Sequence, residues 1–463
     1  MNIKAYFLLL FCSILSIVMV PLWIPAGGIT ADSISYFRLA NDLPHAKWSL
    51  FPLGYPLLLK VFHLFTNDFF WSSRILNCLL YTSIALFAYW RKFYFKETVI
   101  LLTTKIFFFS FFNAISEGLW LAVFYLLIYY LNGFFSGKIK GSSFIIPAAC
   151  CLIFSFVVRY SSIYIGVAMG LFYLIFYYKQ RNEINFWKHD FFKFLLVSGL
   201  GIVAYCMFNY FSFGDFMGER YRNAPPTLVW ENIIRNIASV FNSFNPILGI
   251  KLNGSSTLIV VIELFLGVIN ISFIYLFYKV WRDYFKNNKG YFHLLLILCG
   301  LVYTGFLFVT QFYQGIEELN MRMLAESSFF YFISVIILYY KNLKFEKIIF
   351  CLAVISLLFN SLYVLKIPSD YLKRKSEVEN SLSHFKDKEY FYDDLVNEGK
   401  VVKYKIPLVN KEIEYKHVNQ QDGYIDGNIL MAKNPKIEWM VEDTVKDKSR
   451  VVYASDLTKK KNH

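Results

Sequence analysis

Apolar residues dominate this chain in long runs broken by short polar turns. Runs of about 18 or more such residues are what a helix needs to cross a bilayer. Windows of that kind predict about eleven membrane-spanning helices, at roughly 5–25, 71–90, 98–112, 114–135, 143–158, 161–178, 191–212, 256–279, 290–311, 323–340 and 346–365. The third carries Lys105. Pro21, Trp23 and Pro25 crowd the end of the first run, and Ala26-Gly27-Gly28 makes a poor cleavage site, so the run reads as an uncleaved anchor. Between the first two runs lie a polar segment beginning Ala31-Asp32 and an apolar stretch, 54–66, that predicts an amphipathic helix lying in the interface. After about residue 366 the pattern changes to Lys, Glu, Asp and Asn with short alternating stretches such as 401–406, which predict strands. The expected fold class is therefore an all-α polytopic membrane protein, residues 1–365, with a small C-terminal α+β domain, residues 366–463.

Composition agrees. Of 463 residues, 57% are hydrophobic and 20% aromatic, and mean hydropathy is +0.44. The net charge of +14 could point to nucleic acid, but its distribution points elsewhere. Lys and Arg gather in alternate loops: Arg91, Lys92 and Lys96; Lys138 and Lys140; Lys179, Arg181 and Lys188; Lys279, Arg282, Lys286 and Lys289; Lys341, Lys344 and Lys347. That is the positive-inside pattern. It predicts a multi-pass protein of the cell (inner or plasma) membrane with a cytoplasmic N-terminus and an extracytoplasmic tail, and no nucleic-acid partner. The seven cysteines all fall within predicted spans, so no disulfide framework is expected.

This orientation places Asp32, Glu117, Arg159 and Arg322 on four turns at the outer face. None of the four entered the topology argument. Ionisable groups at a membrane boundary are costly unless a polar cavity holds them, which makes each a functional candidate. Each also has a structural reading, since arginine snorkels and a glutamate suits a helix N-terminus. Asp32, Tyr36 and Ala40 recur every four residues and share a helical face. Tyr160 adjoins Arg159, and Arg220 and Arg222 lie in a long outer loop, about 213–255. Acid and arginines together suit transfer of a sugar from a lipid phosphate. The leaving phosphate departs as an anion that guanidinium forks can hold, and the acceptor hydroxyl needs a carboxylate base. His45 and His63 share the first outer loop with Asp32 but fit no metal-ligand spacing, so no metal or other cofactor is expected.

Asp32 after the first span, Pro52-Leu53-Gly54-Tyr55-Pro56, Ser116-Glu117-Gly118 opening a span, Val158-Arg159-Tyr160 closing one and Arg322-Met323-Leu324 opening another resemble the GT-C glycosyltransferases. These are the polyprenyl-phosphate-sugar enzymes, such as protein O-mannosyltransferases and aminoarabinose transferases. The resemblance covers roughly residues 1–365. It implies Asp32 as catalytic base, with Glu117, Arg159 and Arg322 near the donor phosphate or sugar. It further implies inverting transfer at the outer face to a lipid, glycan or protein acceptor. Two positions depart from the family: Ser33 stands where many members carry a second acid, and Ala325-Glu326 follows Leu324 where a proline is expected. Two other classes fit an outer-face arginine pair: a transporter or flippase of a lipid-linked or anionic solute, and a surface-polysaccharide polymerase. A transporter should show repeats and spans broken at mid-membrane.

Overall fold

A computed structural model describes residues 2–366 except 26, 45, 47–48, 67, 184, 220–229, 248–256, 288–289, 315–318 and 341–345. Beyond that it describes Leu372 and four short strands. Fifteen α-helices occur among the described residues. Six are long and apolar enough to cross a membrane: α1 (Ile3–Trp23), α7 (Ser116–Phe135), α9 (Ser162–Gln180), α10 (Asp190–Phe213), α13 (Tyr291–Thr310) and α15 (Glu346–Tyr363). The apolar α8 (Ser142–Val158) and α14 (Ala325–Tyr340) are shorter. Up to residue 366 the described chain is thus all-α, a multi-pass membrane protein. Its outer surface fits a lipid solvent: Leu200 and Phe211 of α10 and Leu358 of α15 stand exposed, while Trp120 and Tyr125 of α7 are buried. Helix α7 is the central one, with α8, α13 and α14 packed against it together with α4 (Phe69–Trp90) and α6 (Lys105–Phe112).

One predicted span is corrected. The apolar run 98–112 is not one helix but two, α5 (Phe95–Leu102) and α6, of 8 residues each. The break falls at Thr103-Thr104, whose hydroxyls donate back to the Ile100 and Leu101 carbonyls at 2.8 and 2.7 Å. Such side chains compete with the helical ladder for its carbonyls. Lys105 then opens α6 and donates to the Asn242 carbonyl at 2.7 Å, while its backbone N–H donates to Pro246 O at 3.0 Å. Asn242 ends α11 (Trp230–Asn242), and Pro246 lies between it and α12 (Thr257–Asn287).

The first loop carries α2 (Ala31–Asp42) and α3 (Gly54–Thr66), the latter over the residues expected to be helical. At the opposite end of the bundle the Tyr6 hydroxyl meets Tyr340 and Glu346 at 3.0 Å each, and Lys96 pairs with Glu346 at 2.8 Å, tying α1, α14 and α15 together. The Leu372 N–H donates to Pro25 O at 2.7 Å, so the tail begins at the same end as α2. Beyond it, β1 (Tyr390–Tyr392), β2 (Lys400–Lys403), β3 (Trp439–Val441) and β4 (Val451–Tyr453) form a sheet in the order β3-β2-β1-β4, with β1 and β4 parallel. Any helices of the expected α+β tail, and residues 404–406 of its predicted strand, lie outside the described residues.

Candidate functional site

Local sequence sets the position of each charged side chain. Thr30 and Ser33 form a reciprocal cap that starts α2, leaving Asp32 in its first turn. Gly28, just upstream, has a φ of +65°, and a Cβ there would collide with the Phe112 carbonyl. The Gly28 carbonyl accepts from Ala114 N–H at 3.0 Å and from Arg74 Nη2 at 3.3 Å. Buried Arg74 also donates through Nη1 to Phe112 O, and Asn77 Nδ2 donates to Phe111 O and Asn113 O at 2.8 Å each. Those carbonyls end α6 and lack helical partners, so α4 supplies them. The result clamps the first loop to the turn that leads into Ser116-Glu117.

On the other side, Arg159 follows the last residue of α8, its N–H bonded to Ser155 O at 2.8 Å. Ser162 donates to the same carbonyl at 2.9 Å and accepts from Trp120 Nε1 at 2.7 Å. Trp120 lies one turn along α7 from Glu117, so this chain of bonds sets Arg159 against Glu117. Asn320 Oδ1 accepts from the N–H groups of Arg322 and Met323 at 3.0 and 3.1 Å, shaping the turn that delivers Arg322 at the head of α14.

The four predicted charged residues converge. Arg159 Nη1 pairs with Glu117 Oε1 at 2.5 Å, and Arg322 Nη1 with Asp32 Oδ2 at 2.5 Å. Arg322 Nε lies 3.6 Å from Glu117 Oε1 and joins the two pairs. Glu326, which pattern reading did not single out, completes the network at 2.8 Å from Arg159 Nε. It could have been found: an acid in the first turn of an apolar run meets the criterion that identified Glu117. Arg74, buried inside an apolar run, meets it too.

The network has two layers. Glu117 and Glu326 side chains are 4% and 0% exposed, and Arg159 between them is 18% exposed. Asp32 and Arg322 are 28% and 29% exposed and form the face open to a ligand. Three carboxylates against two guanidiniums leave one negative charge in excess with all five ionised. Tyr36 approaches from α2: its hydroxyl and Ser116 Oγ are 2.8 Å apart, and Ser116 donates on to Glu117 Oε2 at 3.5 Å. Burial, then the Glu117 and Asp32 carboxylates, hold the Tyr36 phenol above its ordinary range, so it stays a protonated donor. Its ring packs edge-on against Tyr55, with centroids 5.1 Å apart.

Other expectations fall elsewhere. Tyr160 accepts from Asn209 Nδ2 of α10 at 3.1 Å. Arg220, Arg222 and His45 lie outside the described residues. The His63 ring stacks on Phe69, with centroids 4.2 Å apart. Among the described residues no three His, Cys, Asp or Glu side chains are grouped as metal ligands. All seven cysteines are unpaired with one another. No family model, no curated protein and no solved structure matches this chain. The functional reading therefore rests on the residues and their geometry.

Proposed function

We propose that this chain is an integral-membrane glycosyltransferase that moves a sugar from a polyprenyl-phosphate donor to an acceptor hydroxyl. Transfer would invert the anomeric centre at the outer face of the cell membrane. The observation that carries the reading is the half-exposed Asp32–Arg322 pair, a carboxylate and a guanidinium 2.5 Å apart above a buried ionic base. In the transfer, the acceptor oxygen bonds to the anomeric carbon as the carbon–phosphate oxygen bond breaks. Asp32 takes the hydroxyl proton, and the departing phosphate keeps the electron pair and rests on Arg322. Arg159 is a positioning residue in this scheme, because two glutamates already hold its fork. Tyr36 supplies a donor that reaches Glu117 through Ser116. The spans are taken as eleven, with the paired half-helices α5 and α6 completing the third, and the tail as an extracytoplasmic α+β domain beside the site. The acceptor is a lipid, a glycan or a protein.

The test is transfer of labelled sugar from a panel of polyprenyl-phosphate donors by the purified protein, wild type against Asp32→Asn. Donor-dependent release lost in the variant supports the reading; no release from any donor counts against it.

One observation favours a second reading. The break at Thr103-Thr104, beside a buried lysine, is the kind of interrupted segment through which transporters bind solutes. Uptake of a lipid-linked or anionic solute into vesicles, lost in Lys105→Met while Asp32→Asn still transports, would select it. Polysaccharide polymerisation has no such separate observation behind it.

A further inference from the structure

The half of the bundle farthest from Asp32 holds an apolar groove of about 870 Å³. Helix α12 forms one wall through Leu276 and Val280, α15 the other through Ile348 and Leu352, and Val335 and Ile336 of α14 form the floor. The groove opens sideways: Leu276, Ile348 and Leu352 on its rim are 42%, 57% and 37% exposed. Its deep end is polar, at the α5–α6 break. There Ser356 donates to Thr103 O at 2.9 Å, and Thr103 and Pro246 line the wall. Its mouth carries Lys279, Asp283 and Tyr284.

We propose that this groove binds one two-chain phospholipid with an anionic headgroup, of the phosphatidylglycerol class, drawn from the leaflet on the lysine-rich side. Three observations select that occupant. An apolar cavity of about 150 Å³ holds one benzene, about 25 Å³ per carbon, so 870 Å³ takes about 35 carbons, the bulk of two ordinary acyl chains. The α12 lining runs from Phe273 to Tyr284, about 17 Å of helix, close to the ~15 Å depth of one leaflet's hydrocarbon. A chain spanning both leaflets would be too long for it. The charge at the mouth also has a sign. Arg282 Nη2 lies 3.2 Å from Asp283 Oδ1 and balances it, while Lys279 on α12 leaves the mouth cationic. A phosphodiester suits that mouth, and one without its own ammonium suits it best.

The site stands apart from the proposed transfer reaction. On α14 the charged cluster sits at Glu326, and the nearest groove-lining residue is Phe332, six residues or about 9 Å of helix further on. A lipid there would wedge α12 against α15 and fill space that a dry cavity leaves without dispersion partners.

The experiment is native mass spectrometry of the purified full chain. The protein is first stripped in detergent, then given phosphatidylglycerol, phosphatidylethanolamine or a polyprenyl phosphate, singly and in equal mixture. The expected result is one retained phosphatidylglycerol, favoured about tenfold over phosphatidylethanolamine, and a loss of about tenfold in Lys279→Glu. Lys279 is exposed, so that variant should fold. Ala353→Trp, whose side chain would occupy the groove wall, should remove both phospholipids. Equal retention of the two phospholipids, unchanged retention in Lys279→Glu, or preference for the polyprenyl phosphate in the mixture would each overturn the proposal.

Discussion

Replacing Arg159 with methionine tests whether the buried layer is an ion network or only a coincidence of side chains. Arg159 touches Glu117 at 2.5 Å and Glu326 at 2.8 Å. Its removal strands two carboxylates, but not equally. Glu117 keeps Arg322 at 3.6 Å, whereas Glu326, fully buried, loses its ion-pair partner. Breaking a buried pair from one side costs about 3–5 kcal/mol, and the remaining Arg322 contact places Arg159→Met near the lower end, about 3 kcal/mol. Adding Glu326→Gln removes the stranded charge, so the double variant should recover part of the loss. The coupling expected for side chains in one network is about 1–3 kcal/mol. Arg159→Lys should fall between, because one ammonium cannot meet acids lying off two different edges of a guanidinium. Equilibrium unfolding in mixed micelles measures each corner of the cycle. If the two single changes add to within about 0.5 kcal/mol, the side chains are not coupled and the reasoning fails.

Asp32→Asn should lower turnover about 10²–10⁴-fold while donor still binds, and near-normal turnover would leave Asp32 a structural partner of Arg322 rather than a base. Arg322→Lys keeps the charge but loses the fork, so donor affinity measured by calorimetry should fall without change in melting temperature; unaltered affinity would remove Arg322 from phosphate binding. Gly28→Ala forces a side chain into a left-handed backbone against Phe112 and Arg74, and should cost more than about 1 kcal/mol in the same unfolding assay. A reporter fused after Lys286 should report the cytoplasm and one at the tail the outside, and the reverse result would invert the placement of the site.

The charged layer was legible because bilayer physics makes ionisable residues in apolar runs conspicuous. Asp32, Glu117, Arg159 and Arg322 stand out one by one, and the alternate basic loops predict that they share one face. What the pattern could not carry was pairing. Arg159 lies 42 residues from Glu117 and 167 from Glu326, and nothing local says that its two edges are divided between them. Glu326 opens the same apolar run as Arg322, four residues on, and is as conspicuous by the same rule. The α5–α6 break was hidden for a different reason. Hydropathy averages over Thr103-Thr104, and the partners that make the break tolerable, Asn242 and Pro246, come from a distant part of the chain.

The pairing also changes what an anionic donor would have to do. Neither arginine waits with an open fork: each guanidinium already faces carboxylates. A phosphate can therefore settle only by exchange, and the two layers differ in how readily they allow it. Displacing Glu117 or Glu326 from Arg159 would leave a carboxylate buried without its counter-ion, at a cost of several kcal/mol. Displacing Asp32 from Arg322 leaves a carboxylate that is 28% exposed and can turn to water or to an acceptor hydroxyl. In the proposed transfer the donor phosphate thus takes Asp32's place on Arg322. The same step frees both Asp32 oxygens from the ion pair, so that they can accept from an acceptor hydroxyl only once donor is bound. Acceptor activation then follows donor binding. Steady-state kinetics should show ordered addition with donor first, and random addition with an acceptor affinity independent of donor would break this link between the ion pair and the chemistry.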